Sequence, residues 1–449
     1  MLFYSTNHES PKVDLKDALI AGQAPDKGLY LPESIPSITM GELADLKGKS
    51  YAETAFAILS KYTAGIFSED VLKDLCEDAY NFPVPLERVA DNKFVMRLDQ
   101  GPTASFKDFA ARMMARMFGQ ILQASKQELV ILTATSGDTG SAVANAFYRV
   151  PNVRVMVLFP PDEVSNRQRK QMTTLGENIS TVAVNGKFDD CQALVKQAFA
   201  DPSLKGIPLS SANSINIGRL LPQIVYYVYA YVNLVKNGEP MNICIPSGNF
   251  GNMMGALLAK RMGVPIHRLV IATNANDEVP VYFRTHAYDK IVPSINCISN
   301  AMNVGHPSNF ARVMALYGGQ MDETGRIHKT PDLERLHRDL WSVSIGDEET
   351  RETIRKAWQE NKLLLEPHGA VAWAGLNRYW KETGEEEILT VSVETAHPAK
   401  FPDEIRSLLG FEPEVPESIS KTESKIESFI RMKNNYAAFH TLIEETYGS

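Results

Sequence analysis

The stretch Leu129-Val130-Ile131-Leu132-Thr133-Ala134-Thr135-Ser136-Gly137-Asp138-Thr139-Gly140-Ser141 decides the fold. Its first five residues are apolar or β-branched without alternation, the pattern of a strand buried on both faces. A loop of small residues follows, and the run over 141–149 then has helical character. The pattern returns at Met241-Asn242-Ile243-Cys244-Ile245, followed by Pro246-Ser247-Gly248-Asn249-Phe250-Gly251-Asn252 and a helical run over 253–262. Strand, glycine loop and helix in that order are the repeating unit of a parallel α/β sheet. Further strands are predicted at 153–159, 179–184, 269–273 and 388–393.

Working outward, residues 1–92 form a helix-rich N-terminal domain punctuated by Pro11, Pro25, Pro32 and Pro36. A smaller α/β domain is expected over 93–235 and a larger one over 236–449, the latter ending in a helical extension from Phe411. At 449 residues the chain exceeds the size at which one core stops growing, about 250–300 residues. The formal charge of −8 gives no support to nucleic-acid binding. Cys76, Cys191, Cys244 and Cys297 are widely spaced, and the nine histidines show no ligand spacing, so neither disulfides nor a metal are predicted. No secretory segment and no apolar run of about 18 residues occurs, so the expected location is the cytoplasm, away from membranes.

Both glycine loops place backbone amides at a helix N-terminus on the carboxyl side of a strand, where anions bind in open α/β sheets. Neither has the spacing of a nucleoside-triphosphate or dinucleotide loop. Gly248, Asn249, Phe250, Gly251 and Asn252 can bring amides around one compact phosphate. Ser136, Gly137 and Thr139 offer the donors that a substrate carboxylate requires, while Asp138 reads either as a cap of the following helix or as a partner for a polar cofactor or loop group.

Two more residues complete a constellation. Lys107 stands in Gly101-Pro102-Thr103-Ala104-Ser105-Phe106-Lys107-Asp108-Phe109, at the rim of an apolar stripe that runs through Met113, Met117 and Ile121. Taken alone it reads as a charged residue on an amphipathic helix. Beside a phosphate anchor it becomes a candidate for Schiff-base chemistry with an aldehyde cofactor. Thr395 ends the strand predicted at 388–393 and can meet a pyridine nitrogen without delivering the full proton that a carboxylate partner favours.

With these motifs in hand, the chain resembles the threonine synthases, fold type II pyridoxal phosphate enzymes. The resemblance runs from Lys27-Gly28-Leu29-Tyr30-Leu31-Pro32 through the segments at 101–109 and 135–140. It continues in Asn213-Ser214-Ile215-Asn216 with Arg219, in the segment at 247–252, and in Ser299-Asn300-Ala301-Met302. Glu366-Pro367-His368 and Thr395-Ala396-His397-Pro398-Ala399-Lys400-Phe401 complete it.

The resemblance implies two open parallel α/β sheets and pyridoxal 5′-phosphate linked to Lys107. It places the cofactor phosphate at Gly248 to Asn252 and the ring nitrogen at Thr395. The substrate carboxylate falls to the loop of Ser136, Gly137 and Thr139. Asn213, Ser214, Asn216 and Arg219 become candidates for a distal phosphate, although Arg219 by itself also reads as a surface helical arginine. Relatives that act at the β-carbon often carry Asn in place of Asp138, a departure that agrees with threonine synthase and leaves the role of Asp138 open. The implied reaction converts O-phospho-L-homoserine and water to L-threonine and phosphate. The acidic charge and the C-terminal helix fit a monomer as well as an oligomer, and a monomer is expected. The rivals are a phospho-lyase of the same fold that makes 2-oxobutanoate and a non-catalytic metabolite-binding relative.

Overall fold

The computed structural model describes residues 1–448. Two sheets organise the chain. The larger runs in the order Leu340–Ser344, Ile266–Thr273, Met241–Pro246, Thr390–Glu394, Lys93–Arg97, Leu86–Ala90, and the smaller in the order Ile430–Lys433, Ile179–Asn185, Val153–Phe159, Leu129–Ala134, Leu209–Ser211. Every pairing in the smaller sheet is parallel. In the larger sheet only the Leu86–Ala90 edge strand is antiparallel. The strands Leu129–Ala134 and Met241–Pro246 are buried at every position, as their unbroken apolar character requires. Among the described residues no helix is long and apolar enough to cross a membrane.

The N-terminal segment is helical over Tyr51–Thr63 and Glu69–Ala79, and the first of these starts on a capping box formed by Ser50 and Glu53. It also contains a three-stranded antiparallel sheet made by Leu2–Ser5, Val13–Asp14 and Tyr30–Pro32. The segment is anchored from within the core. Buried Arg112 donates to the carbonyls of Ala79 and Asp78 at 2.7 and 2.6 Å, satisfying the end of the Glu69–Ala79 helix.

Three expectations about organisation need correcting. The boundary expected between residues 92 and 93 falls inside a hairpin. Leu86–Ala90 and Lys93–Arg97 pair across the Asp91-Asn92 turn, and both belong to the larger sheet. The change of pattern near Lys93 marks the second strand of this hairpin and not the start of a domain. The chain passes to the smaller lobe only afterwards, in the helix Lys107–Ser125.

Next, the C-terminal extension belongs to the smaller lobe and is not wholly helical. Ile430–Lys433 adds a parallel edge strand to Ile179–Asn185, and the helix Tyr436–Tyr447 buries Phe439 and Ile443 against that sheet. Full burial of two such side chains contributes about 1.5–3 kcal/mol each. Ile426, within the segment expected to pack as a helical extension, is exposed. Finally, Leu340–Ser344 and Leu209–Ser211 are strands that the apolar-run criterion misses, being short and interrupted by serines.

Candidate active site

The two sheets meet along a cleft whose walls carry Lys107, the 135–139 loop, the 247–252 loop and Thr395. Lys107 opens the helix Lys107–Ser125, and the loop before it is clamped to the segment after the strand Thr390–Glu394. Ser105 bridges Ala396 in antiparallel fashion, Phe106 donates its N–H to the Thr395 carbonyl at 2.9 Å, and His397 donates to Ala104 at 3.0 Å. Ala104 takes a left-handed conformation (φ 54°) to make this turn. The lysine and the threonine are thereby fixed by one short backbone contact.

Lys107 Nζ lies 4.0 Å from Asp138 Oδ2 and 4.6 Å from the centre of the Phe106 ring. Burial pushes its ammonium down to about 8, with Asp138 opposing that shift and Lys400 and Arg219 adding to it. Asp138 is not the helix cap. The cap position is Gly137, and the Asp138 carboxylate instead meets Lys400 Nζ at 2.6 Å and Gln168 Nε2 at 3.0 Å. Burial alone would raise this carboxyl, but Lys400 and then Lys107 hold it well below the usual range.

The 135–139 loop divides its labour. Thr135 Oγ1 accepts from the amides of Gly137 and Gly140 at 2.9 and 2.8 Å. Ser136, Asp138 and Thr139 line the cleft, while Gly137 does not. Gly137 sits at φ 139°, and a Cβ there would come within 2.6 Å of the Gln168 side chain. It is a backbone and close-packing position.

Across the cleft, Phe250 adopts φ 61° and turns the chain into the helix Gly251–Met262. A bulky residue in this conformation is strained, and such strain gathers at ligand clamps. The first-turn amides of that helix have no acceptor within it. Gly248 admits no side chain, since a Cβ would lie 2.8 Å from the Met302 Cα. Asn249 is held by Ser214 Oγ at 2.7 Å and by the Ser308 amide at 2.7 Å. Asn252 accepts from the hydroxyls of Tyr226 and Tyr227 at 2.5 Å each, leaving its buried Nδ2 without a partner.

This wall fits a phosphate. It combines helix-start amides, an orphaned buried donor and a floor too tight for any Cβ. Among the described residues, two buried arginines beside it have no carboxylate partner. Arg219 donates to the Ala212 carbonyl at 2.5 Å and keeps an unpaired Nε, and burial lowers it to about 10. Arg312 spends its donors on Tyr30, Ser214, Ile215 and Asn309, and burial lowers it to about 9.

Asn213 and Ser214 line the cleft with Arg219, and Asn213 Nδ2 donates to the Ala134 carbonyl at 3.0 Å. Asn216 does not join them. Its Nδ2 donates to Leu19 and Ser211 carbonyls at 2.8 and 2.9 Å and its Oδ1 accepts from Gly218 at 2.9 Å. That amide is consumed by backbone, so Asn216 is a loop brace and not a substrate ligand.

Behind Thr395 stand groups whose part sequence reasoning missed. Glu366 caps the helix Pro367–Thr383 by accepting from the His368 and Gly369 amides, and its Oε1 lies 3.4 Å from Thr395 Oγ1. His368 Nδ1 pairs with Glu366 at 2.5 Å while its Nε2 accepts from the Ala301 amide at 3.0 Å, which sets the neutral tautomer with hydrogen on Nδ1. Burial, reinforced by Glu366, pushes the adjacent Glu394 well above the carboxylate range. Lys400 was equally hidden, the only signal being a lone charge among the small and apolar residues after Thr395.

Family models match nearly the whole chain: "Threonine synthase N terminus" over residues 2–80, "Pyridoxal-phosphate dependent enzyme" over 81–393, and "Threonine synthase, C-terminal" over 369–443. The threonine synthase of Haemophilus influenzae is 40% identical over 442 residues, covering 97% of this chain and 98% of its own. A crystal structure of PLP-bound threonine synthase from Brucella melitensis superposes with a TM-score of 0.92 at 33% identity and covers 100% of both chains. Threonine synthase from Escherichia coli superposes at 0.89 with 34% identity, covering 99% of this chain and 100% of that one.

Proposed function

The chain belongs to the threonine synthase family of pyridoxal-phosphate-dependent enzymes, and on that premise we propose that its substrate is O-phospho-L-homoserine, converted with water to L-threonine and phosphate. The protein is a PLP-dependent lyase of fold type II. The observation that carries the substrate is the buried Arg219, a cation without a carboxylate partner, facing the same cleft as Lys107. An uncompensated buried charge is costly unless an anion meets it. The 247–252 loop fits the cofactor's phosphate, so Arg219 is left for a second phosphate, on the substrate.

When bound, pyridoxal phosphate supplies an aldehyde that links the substrate amine and an electron-withdrawing ring that spreads the charge left by proton removal. The chain's residues do the rest. Ser136, Thr139 and the first turn of the helix Asp138–Phe147 hold the substrate carboxylate. Asn213 and Arg219 hold the distal phosphate, Arg219 through a planar fork of N–H donors. The substrate is thus gripped at both ends with its α-carbon toward Lys107.

Lys107 Nζ, brought by burial to about 8, is poised to take the α-proton at neutral to mildly alkaline pH. A further deprotonation at the β-carbon lets phosphate leave from the γ-carbon, and Arg219 stabilises the charge gathering on the departing group. The γ-carbon then takes up a proton to become the methyl group, water adds at the β-carbon with its spare proton balancing the released phosphate, and Lys107 returns a proton to the α-carbon. Thr395 Oγ1, backed by Glu366, orients the ring.

A monomeric working state and a cytoplasmic location belong to the same proposal. Incubation with pyridoxal phosphate and O-phospho-L-homoserine tests the reading through its carbon product. Threonine supports it, and 2-oxobutanoate without threonine overturns it.

A further inference from the structure

Asp138 lines the cleft and meets Lys400, a buried residue of the opposite lobe. Asp138 begins a helix of the smaller lobe, while Lys400 lies in the short 3-10 turn Pro398–Lys400 that follows the strand Thr390–Glu394 of the larger. Their side chains are 2% and 0% exposed and 2.6 Å apart. Lys400 Nζ also donates to the Thr103 carbonyl at 2.7 Å, on the loop that leads into Lys107. Gln171 Nε2 donates to that same carbonyl at 3.2 Å, and Gln168 Nε2 braces Asp138 Oδ1. Nothing in this arrangement is solvated, so each charge depends on the other.

The geometry bears on Lys107. Asp138 turns Oδ1 to Lys400 and leaves Oδ2 facing Lys107 Nζ at 4.0 Å. A lone buried carboxylate at that distance would hold Lys107 protonated and unable to act as nucleophile or base. A lone buried ammonium in place of Lys400 would strip Lys107 of its proton throughout the working range. The charged groups facing Lys107 are Asp138, Lys400, Arg219 and Glu366, with His368 and Asp108 standing around the pair itself. Of these, Asp138 and Lys400 are in direct ion contact.

We propose that Lys400 is a positioning residue for the reaction: it fixes Asp138 and cancels its charge, so that the two meet Lys107 as one neutral polar unit joining the lobes. The inference rests on the functional reading above, in which Lys107 carries the cofactor. It makes Asp138 workable next to a lysine that must give up and recover a proton.

The test is the pH titration of the visible absorption of the cofactor-loaded protein in Lys400→Met, Asp138→Asn and the double variant. Lys400→Met leaves Asp138 unneutralised and moves the midpoint up by about one pH unit or more, while Asp138→Asn leaves Lys400 unneutralised and moves it down. The double variant, neutral at both positions, returns the midpoint toward that of the wild type. If Lys400→Met does not fold, Asp138→Asn and the double variant carry the same test. A merely structural role moves stability without opposite shifts. Single variants that shift the midpoint in the same direction, or not at all, overturn the proposal. Absence of a visible band in the loaded wild type would instead overturn the reading of Lys107 itself.

Discussion

Phe106 and Thr395 share a backbone hydrogen bond of 2.9 Å, so the residue before Lys107 is tied directly to the residue assigned to the cofactor's ring nitrogen. Thr395→Val keeps this bond, because only the side chain changes. It removes the hydroxyl that lies 3.4 Å from Glu366 Oε1. We expect kcat/KM to fall about 10- to 100-fold. Thermal unfolding should stay near that of the wild type, and steady-state kinetics beside a melting curve check both.

Lys107 should carry the visible absorption of the loaded protein. Lys107→Ala is expected to lose that band and to reduce turnover by at least about a thousandfold, combining the loss of nucleophile and base. A spectrum and a single-turnover assay on the same preparation are sufficient. A retained band in the variant would place the covalent link elsewhere.

The same lysine makes a stability prediction. Its folded value of about 8 lies below the ordinary 10.5, so the cofactor-free protein takes up a proton on unfolding between those pH values. The destabilisation is therefore full below pH 8 and fades as pH rises toward 10.5. Lys107→Met should stabilise the cofactor-free protein at pH 7 by up to about 3 kcal/mol. That gain should shrink across the same window, as followed by denaturant unfolding at a series of pH values.

Gly248→Ala would bring a Cβ to 2.8 Å from the Met302 Cα, a backbone atom that cannot swing aside. Overpacking of this kind costs about 1–3 kcal/mol. We expect cofactor affinity to drop about 5- to 150-fold, measured by titration of the cofactor-free protein with pyridoxal phosphate. Turnover at saturating cofactor should suffer far less.

Arg219→Met removes the cation assigned to the substrate phosphate. The loss of charge-assisted hydrogen bonds, about 1.5–3 kcal/mol, predicts a KM for O-phospho-L-homoserine raised about 10- to 100-fold with cofactor affinity unchanged. Because the arginine has no carboxylate partner, its removal should not lower the stability of the cofactor-free protein. A weakened cofactor and an unchanged KM would assign Arg219 to the other phosphate.

What the sequence made legible were local patterns of type and order. The two strand–loop–helix units are continuous in the chain, so their apolar runs and glycines announce both the parallel sheets and the turns that open onto the cleft. The segments around Lys107 and Thr395 were readable for the same reason. Contacts between distant segments were not. The polar side chain of Asn216 looked suited to substrate, yet its hydrogen bonds go to the carbonyls of Leu19 and Ser211. Asp138 looked like a cap until Lys400 arrived from the other lobe. The segment around Ile430, expected as part of a helical extension, pairs as an edge strand with Ile179–Asn185, a choice made by the partner strand and not by local propensity.

The most direct test of the proposed reaction is to run it in 18O-labelled water and locate the label. We predict one threonine per phosphate, with 18O in the threonine hydroxyl and phosphate released without solvent oxygen, because the bond broken is between the γ-carbon and its oxygen. Label in the phosphate, or 2-oxobutanoate and ammonia in place of threonine, would contradict the account.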